Sequence, residues 1–347
     1  MNYLANHFDG IKTQKFGVEI ECTGLTREVA AKAIAQLLHS ESVHDGGGYD
    51  KYSVRDNKGR RWNIVYDSSI KRFNEEGRST DSRNYAVEIV TPVLEYNDIA
   101  LLQEVVRTVR KAGGVTGANY NCGIHLHIDG SKYDAHSLRN LVNIFASKEN
   151  FLFDVLQVAH KRENYCKKVD RDFLEKINSK KNITMEDIKN YWYNGNLDEV
   201  RYHYSETRYR CCNLHSFFAN GHWEMRACNA SLHAGVIRSY IVLALAISNA
   251  ALTRKFCSPK ISESDNLRYS ARVWLINLGL NGEEFKNCRK HLISHLDGCI
   301  SWRHPEDAVA QRERLKQQRE NLKQNDRNEQ PQNIEEQEEN SGMIMSM

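Results

Sequence analysis

Four short segments of the chain alternate apolar and polar residues with a period of two. They cover residues 16–22 (FGVEIEC), 85–92 (YAVEIVTP), 122–129 (CGIHLHID) and 222–228 (HWEMRAC). This alternation predicts β-strands with one apolar and one polar face. The polar faces carry acids, imidazoles and a guanidinium, which are side chains that bind metals and move protons. Neighbouring strands of this kind would bring these groups into one site.

Segments with a helical period separate the predicted strands. Apolar stripes predict helices at about 26–39, 97–111, 135–159, 231–254, 268–278 and 283–296. The polar segment 160–205 is mostly helical by pattern, and we expect it to form an inserted lid or flank. Strands interrupted irregularly by helices predict an α+β fold with a mostly antiparallel sheet.

Turn signals refine this picture. Residues 62–66 predict a short strand that leads into Asp67, and Gly46-Gly47-Gly48 predicts a loop. Residues 209–218 and 222–227 predict the two strands of a hairpin, because Ala219-Asn220-Gly221 is a good turn sequence.

Composition narrows the classes of protein to consider. The 347 residues include 48 Lys and Arg against 45 acids, so we expect neither nucleic acid nor a membrane as a partner. Nine cysteines without a Cys-x-x-Cys pair predict reduced thiols and a cytoplasmic location. The most apolar stretch, 240–247, is much shorter than the ~20 residues that span a bilayer, which predicts a buried helix.

The composition changes near residue 304, where Gln, Glu, Asn, Arg and Lys begin to dominate. We therefore expect one domain over 1–303, with a helical insertion at about 131–207, and a charged tail over 304–347. Within the tail, 308–323 could form a lone helix, and the rest is expected to be largely disordered. Such a tail could bind a protein partner.

The strand faces hold pairs of candidate metal ligands. Glu19 and Glu21 lie two residues apart on one strand, so both carboxylates point to the same side. His125 and His127 repeat this geometry, although each pair taken alone also fits a solvated or a core position. Together with other strand carboxylates they form an oxygen-rich set, which suits Mg²⁺ or Mn²⁺ better than Zn²⁺. These additional carboxylates are Glu88 and Glu224.

Several further residues are candidates for binding phosphate. Arg226 shares a strand face with Glu224, which fits either a surface ion pair or a fork directed at phosphate or carboxylate. Arg208 and Arg210 could face phosphate or form a basic strand edge, and Asp67 is either a further acid or a turn residue. The sequence has no phosphate loop and no dinucleotide turn, so a nucleotide site would use metals and arginines.

At these residues the chain resembles the amidoligase family of carboxylate–amine ligases, which is similar to glutamine synthetase and γ-glutamylcysteine ligase. The resemblance runs from about 15 to 255, except over 131–207. It implies a curved, mainly antiparallel sheet of about six strands with helices on the convex face. The matching segments, in the family's order, are 16–21, 62–70, 88–94, 122–129, 208–216 and 223–226.

The resemblance also implies roles for individual residues. It implies metal ligands at Glu19, Glu21, Glu88, His125 and Glu224, with His125 favoured over His127. We expect nucleotide contacts at Arg208, Arg210, Asn213 and Arg226, and catalytic roles for Arg226, Asp67 and His127.

The resulting hypothesis is a ligase that uses ATP and Mg²⁺, or Mn²⁺, to form an amide through an acyl phosphate. Its substrates would be small-molecule or peptide carboxylates and amines. Two alternatives stay open: a metal-dependent hydrolase that uses His125 and His127, and a non-catalytic adaptor whose tail binds partners.

Overall fold

One antiparallel sheet organises the computed structural model, which describes residues 10–261 and 264–328. Within these residues the sheet has nine strands, so the expectation of about six was wrong. The strands are β1 Lys15–Cys22, β2 Ser42–Gly46, β3 Lys51–Arg55, β4 Arg61–Val65, β5 Val87–Val90, β6 Leu94–Glu95, β7 Gly123–Asp129, β8 Cys212–Asn213 and β9 His222–Asn229. Their order is β2-β3-β4-β5-β1-β7-β9-β8, and β6 also pairs with β1.

Two of the three added strands come from a hairpin that the sequence pattern did not predict, and the third is the short β6. β2 and β3 pair on either side of the predicted glycine loop, where Gly46 and Gly47 have φ angles of 71° and 77°. Glycine adopts this left-handed conformation without steric cost, so the loop can close a tight turn.

The predicted hairpin at 209–227 was only half correct. β8 pairs with β9, but it contains only Cys212 and Asn213, and helix His215–Asn220 takes the place of the remaining strand. The Asn213 side chain accepts a hydrogen bond from the His215 backbone N–H at 2.8 Å, which turns the chain into this helix.

The long helices are largely those that the apolar stripes predicted. Thr26 caps the first helix by accepting a hydrogen bond from Val29, and Asp134 caps the third through Ser137. The helices are α1 Arg27–Leu37, α2 Ile99–Lys111, α3 Ala135–Val155, α4 Arg171–Ser179, α5 Met185–Trp192, α6 His215–Asn220, α7 Ala234–Thr253, α8 Leu267–Asn277, α9 Lys286–Ile293 and α10 Pro305–Asn328.

The apolar side of the central strands packs against helices. Val18, Ile20, Ile124 and Leu126 are buried, and α7 contacts β7, α2, α3 and α9. The 20 residues of α7 make it long and apolar enough to cross a membrane, but most of its side chains are buried in this fold. The prediction of a buried helix is therefore confirmed.

The chain divides into two compact units. The larger unit comprises Met1–Glu263 and Ala271–Leu296, and the smaller comprises Ser264–Ser270 and Asp297–Met347. The larger unit contains the sheet and the inserted segment, which is mostly helical, as predicted. The smaller unit contains α10, which includes the predicted helix at 308–323. The predicted disorder after residue 328 lies outside the described residues.

Candidate active site

The register of four central strands brings their polar faces together. Glu21 pairs with Glu88 across β1 and β5, and Glu19 pairs with His125 across β1 and β7. His127 in turn pairs with Glu224 across β7 and β9. The side chains that the strand pattern singled out therefore converge on one face of the sheet. Their role as metal ligands remains a prediction.

Short distances join these groups. Glu19 Oε2 lies 3.0 Å from His125 Nδ1, and Glu19 Oε1 lies 3.2 Å from His127 Nε2. Glu224 Oε1 is 3.6 Å from His125 Nδ1, and Glu21 Oε1 is 3.9 Å from His125 Nε2. One imidazole thus contacts three carboxylates.

The donor atoms fall into three overlapping sets, in each of which the ligand atoms lie within 4.8 Å of one another. Both ring nitrogens of His127 are buried without a hydrogen-bond partner in the described part of the chain, although Nε2 is close to Glu19. Unpartnered nitrogens among carboxylates fit the coordination of a divalent cation. The three sets are Glu19–Glu88–His125, Glu19–His127–Glu224 and Glu21–Asp67–Glu88.

The carboxylates differ in their pKa values. Burial and the nearby Asp67 raise the pKa of Glu21 to about 8, and burial with the charges of Glu19 and Glu21 raises the pKa of Glu88. Burial also opposes ionisation of Glu19, but His127 and His125 lower its pKa well below the ordinary value. Glu21 and Glu88 therefore lack enough positive charge of the protein's own, whereas Glu19 is compensated by the two histidines.

Glu224 is surrounded by donors. Asn213 Nδ2 and Ser216 Oγ donate to its Oε2 at 2.7 and 3.0 Å, and Arg226 Nη1 donates to Oε1. Burial opposes the ionisation of Glu224, but the charge of Arg226 lowers its pKa to about 2. Asn213, predicted to contact nucleotide, is fully buried and orients Glu224.

A shift of register in β9 sets the position of Arg226. Leu126 pairs with Met225 and Ile124 pairs with Cys228, so β9 has one extra residue opposite His125. This bulge turns Cys228 into the core, whereas strict alternation would place it on the polar face. The sequence pattern gave no signal for the bulge.

Two hollows open beside the clustered acids, and both are lined by Glu19, His203 and Arg208. The histidine hollow has a volume of about 860 Å³ and is lined by His127, His203, His215, His222, Lys15 and Arg201 among others. The tyrosine hollow has a volume of about 740 Å³ and is lined by Tyr49, Tyr66, Tyr165, Tyr204, Tyr209 and the Glu21–Asp67–Glu88 set among others.

The remaining predicted residues lie in different places. Arg208 lines both hollows and donates to the His203 carbonyl at 2.8 Å. Asp67 lines the tyrosine hollow and also accepts from the Ser69 N–H at 2.6 Å, so it has the turn role, and its catalytic role stays a prediction. Arg210 lines neither hollow, because it pairs with Asp170 at 3.0 Å.

Sequence reasoning missed several residues of the site. Arg83 and Arg162 line the tyrosine hollow, and Arg83 lies over the Tyr66 ring at 4.1 Å. Arg162 belongs to the polar insertion, where no strand periodicity marks a residue that points toward the sheet.

A family model described as "Putative amidoligase enzyme" matches residues 12–248, which is more than half of the chain. A crystal structure of a bifunctional glutathione synthetase from Pasteurella multocida is similar with a TM-score of 0.38 and 12% identity. The similar region covers 83% of this chain and 48% of that chain, so this chain spans about half the length of that protein. No curated protein matches the sequence.

Proposed function

Because the chain belongs to the amidoligase family, we propose that it is an ATP- and Mg²⁺-dependent carboxylate–amine ligase with a glutamine synthetase-like catalytic sheet. One observation carries the proposal. Carboxylates and imidazoles from β1, β5, β7 and β9 meet beside a buried arginine, between two hollows that are each large enough for a substrate.

Mg²⁺, or Mn²⁺, would be held by Glu19, Glu21, Glu88, His125 and Glu224, and the unpartnered nitrogens of His127 fit the same purpose. Bound there, the ions would neutralise phosphate charge that otherwise repels a substrate carboxylate. The carboxylate excess of the site and its lack of thiolates favour these ions over zinc, and hence a ligase over the alternative hydrolase.

The two hollows suggest a division of the substrates. The histidine hollow offers Lys15, Arg201 and Arg208, and these cations suit a triphosphate. The tyrosine hollow holds Asp67, which could accept a proton from an amine, and Arg83, which could bind a carboxylate. Arg226 lines the tyrosine hollow and donates to Glu224, which lines the histidine hollow, and its guanidinium would contact the transferred phosphoryl group.

The proposed reaction has two steps. An oxygen of the substrate carboxylate attacks the γ-phosphorus, the bond between the γ-phosphorus and the β–γ bridging oxygen breaks, and ADP leaves. The amine nitrogen then attacks the acyl carbon, phosphate leaves, and Asp67 accepts the proton that the amine loses. Residues 203–208 reach both hollows and would restrict water around the acyl phosphate, which water would otherwise hydrolyse.

The test is ADP release from ATP and Mg²⁺ over a panel of amino acids, peptides and amines. Hydroxylamine should trap the acyl phosphate as a hydroxamate, in an amount that matches the ADP released. ADP release that no carboxylate stimulates, or turnover of substrates without ATP by a protein that contains stoichiometric zinc, would overturn the ligase assignment.

The division of substrates is tested by nucleotide binding. Lys15→Met and His222→Gln in the histidine hollow should each raise the Kd for ATP with Mg²⁺ by about tenfold. Arg83→Met in the tyrosine hollow is the matched control and should change this Kd by less than about twofold. The reverse pattern would place the nucleotide in the tyrosine hollow.

A further inference from the structure

Arg162 is a buried cation that the proposed chemistry leaves without a role. It lies in the short 3₁₀ turn His160–Tyr165 of the insertion, and only 5% of its surface is exposed. In the described part of the chain, no carboxylate forms an ion pair with it. Its guanidinium passes over Gly123, where a Cβ atom would lie 2.3 Å from Nη2, so the absence of a side chain there makes room for it.

The guanidinium binds two backbone carbonyls of β9. Nη2 donates to the Arg226 carbonyl at 3.2 Å, and Nη1 donates to the Cys228 carbonyl. These residues lie where β9 is out of register with β7, so that ordinary strand pairing is interrupted. The planar fork therefore supplies donors at the bulge.

The same turn also holds the side chain of Arg226. The Tyr165 carbonyl accepts a hydrogen bond from Arg226 Nε at 3.3 Å. The turn is itself anchored to the end of β9, because Asn229 Oδ1 accepts from the Ala159 N–H at 3.1 Å. One segment of the insertion thus holds both the backbone and the side chain of Arg226.

We propose that Arg162 is a positioning residue, which fixes the bulge of β9 and thereby directs Arg226 at the acid cluster. Only the kinetic consequence rests on the proposed ligase function. Lysine would keep the charge of Arg162 but would lose the fork, since a single ammonium group does not reproduce the planar geometry.

The first test follows Arg226 directly and needs no activity. In protein labelled with ¹⁵N-arginine, the Arg226 Nε–H signal, assigned with Arg226→Lys, should exchange slowly with solvent. Arg162→Lys and Arg162→Met should speed this exchange at least about tenfold, as expected when a buried hydrogen bond opens locally. Arg139→Met is the matched control, because Arg139 donates to the Lys180 carbonyl of the same insertion. An Arg226 signal unchanged by both Arg162 substitutions would overturn the proposal, whatever the activity.

The second test separates positioning from folding. Arg162→Lys should lower kcat about 100-fold and change the KM for ATP by less than about threefold, because a small misplacement of a reacting group mainly affects the chemical step. In the Arg226→Lys background the same substitution should have little further effect on kcat. Additive losses of kcat in the double variant would overturn the proposal. If the Arg162 substitutions speed the exchange of the Arg226 Nε–H but the protein never releases ADP, only the ligase function is rejected.

Discussion

Asp56 and Asp98 form one pair of buried carboxylates, after β3 and before α2, and Glu21, which is buried, and Glu88, which is half-buried, form another pair on the polar face of the sheet. Arg60 donates to both aspartates, at 2.9 Å to Asp56 and 2.6 Å to Asp98. Glu21 accepts one hydrogen bond, from the Gly123 N–H at 2.6 Å, and in the described part of the chain no donor bonds Glu88.

The contrast separates acids whose charge the fold compensates from acids whose charge it leaves largely uncompensated. Burial opposes the ionisation of both pairs, yet hydrogen bonds from Arg60 and from backbone amides lower the pKa values of Asp56 and Asp98. The same burial raises the pKa values of Glu21 and Glu88, and the charges of neighbouring carboxylates raise them further. A carboxylate pair with too little compensating positive charge is unfavourable, and bound cations would reduce the repulsion between its charges.

The largest effect should come from breaking the glutamate cluster at Glu19, which belongs to two of the three ligand sets. Glu19→Gln should lower Mg²⁺-dependent ADP release at least about 1000-fold, because an amide neither carries the charge nor coordinates as well. The measurement is steady-state ADP release at saturating ATP and Mg²⁺. Glu104→Gln, which removes an acid paired with Arg107 on α2, is the control and should keep full activity. Retained activity in Glu19→Gln would contradict the assignment of Glu19 as a metal ligand.

A substitution in the aspartate pair should lower the stability of the protein and should not change the proposed activity. Asp98→Asn removes the carboxylate that Arg60 and Lys58 bind, and it should lower the free energy of unfolding by about 3 kcal/mol. Urea denaturation measures this difference. Asp198→Asn, at an exposed ion pair with Arg201, should change stability by less than about 0.5 kcal/mol. Equal effects of the two substitutions would show that the Asp98 network contributes nothing beyond a surface pair.

Low pH should remove the difference in stability between the Asp98→Asn variant and the parent protein. The folded pKa of Asp98 lies below its unfolded value of ~3.9, so its contribution is fully present above that pH. As the pH falls through the folded pKa, the carboxyl protonates and the contribution is lost. Urea midpoints of the two proteins should therefore converge below pH ~4. A difference that grows toward acid pH would contradict the assignment.

Divalent cations should stabilise the glutamate cluster and not the aspartate pair. If Mg²⁺ binds the folded protein alone, a free concentration 100 times its Kd adds about 2.7 kcal/mol to the free energy of unfolding. Thermal denaturation with Mg²⁺ or with EDTA measures the shift. Glu19→Gln should lose most of it, whereas Asp98→Asn should retain it. A shift of the same size in both variants would place the cation elsewhere.

The sequence predicted which members of the glutamate cluster share a face of one strand, because strand alternation is local. Glu19 and Glu21 must share a face of β1, and the same rule applies to His125 and His127 of β7. It could not predict which strands are neighbours, since that depends on pairing between distant segments. The hairpin of β2 and β3 and the strand count were missed for related reasons, because short strands around glycines carry weak periodicity.

Other parts of the site depend on departures from regular structure. The bulge of β9 reverses the alternation after Arg226, and the Arg162 turn lies in a polar segment without a clear period. Asn213 was predicted as a nucleotide contact, but three-dimensional packing places its amide against Glu224. The cytoplasmic location and the binding of a partner by the tail stay predictions, because neither depends on the geometry of this sheet.

The smallest expected effect tests the comparison of the two carboxylate pairs through the sign of a change in stability. Glu88→Gln in metal-free protein removes an acid whose ionisation Glu19, Glu21, Asp67 and Glu224 oppose, and it should raise the free energy of unfolding by about 1 kcal/mol. Asp98→Asn is the same kind of change, from an acid to its amide, and should act in the opposite direction. Urea denaturation in EDTA compares the two variants directly. If Glu88→Gln is destabilising without metal, Glu88 has a structural partner in the fold, and the distinction between the two carboxylate pairs fails.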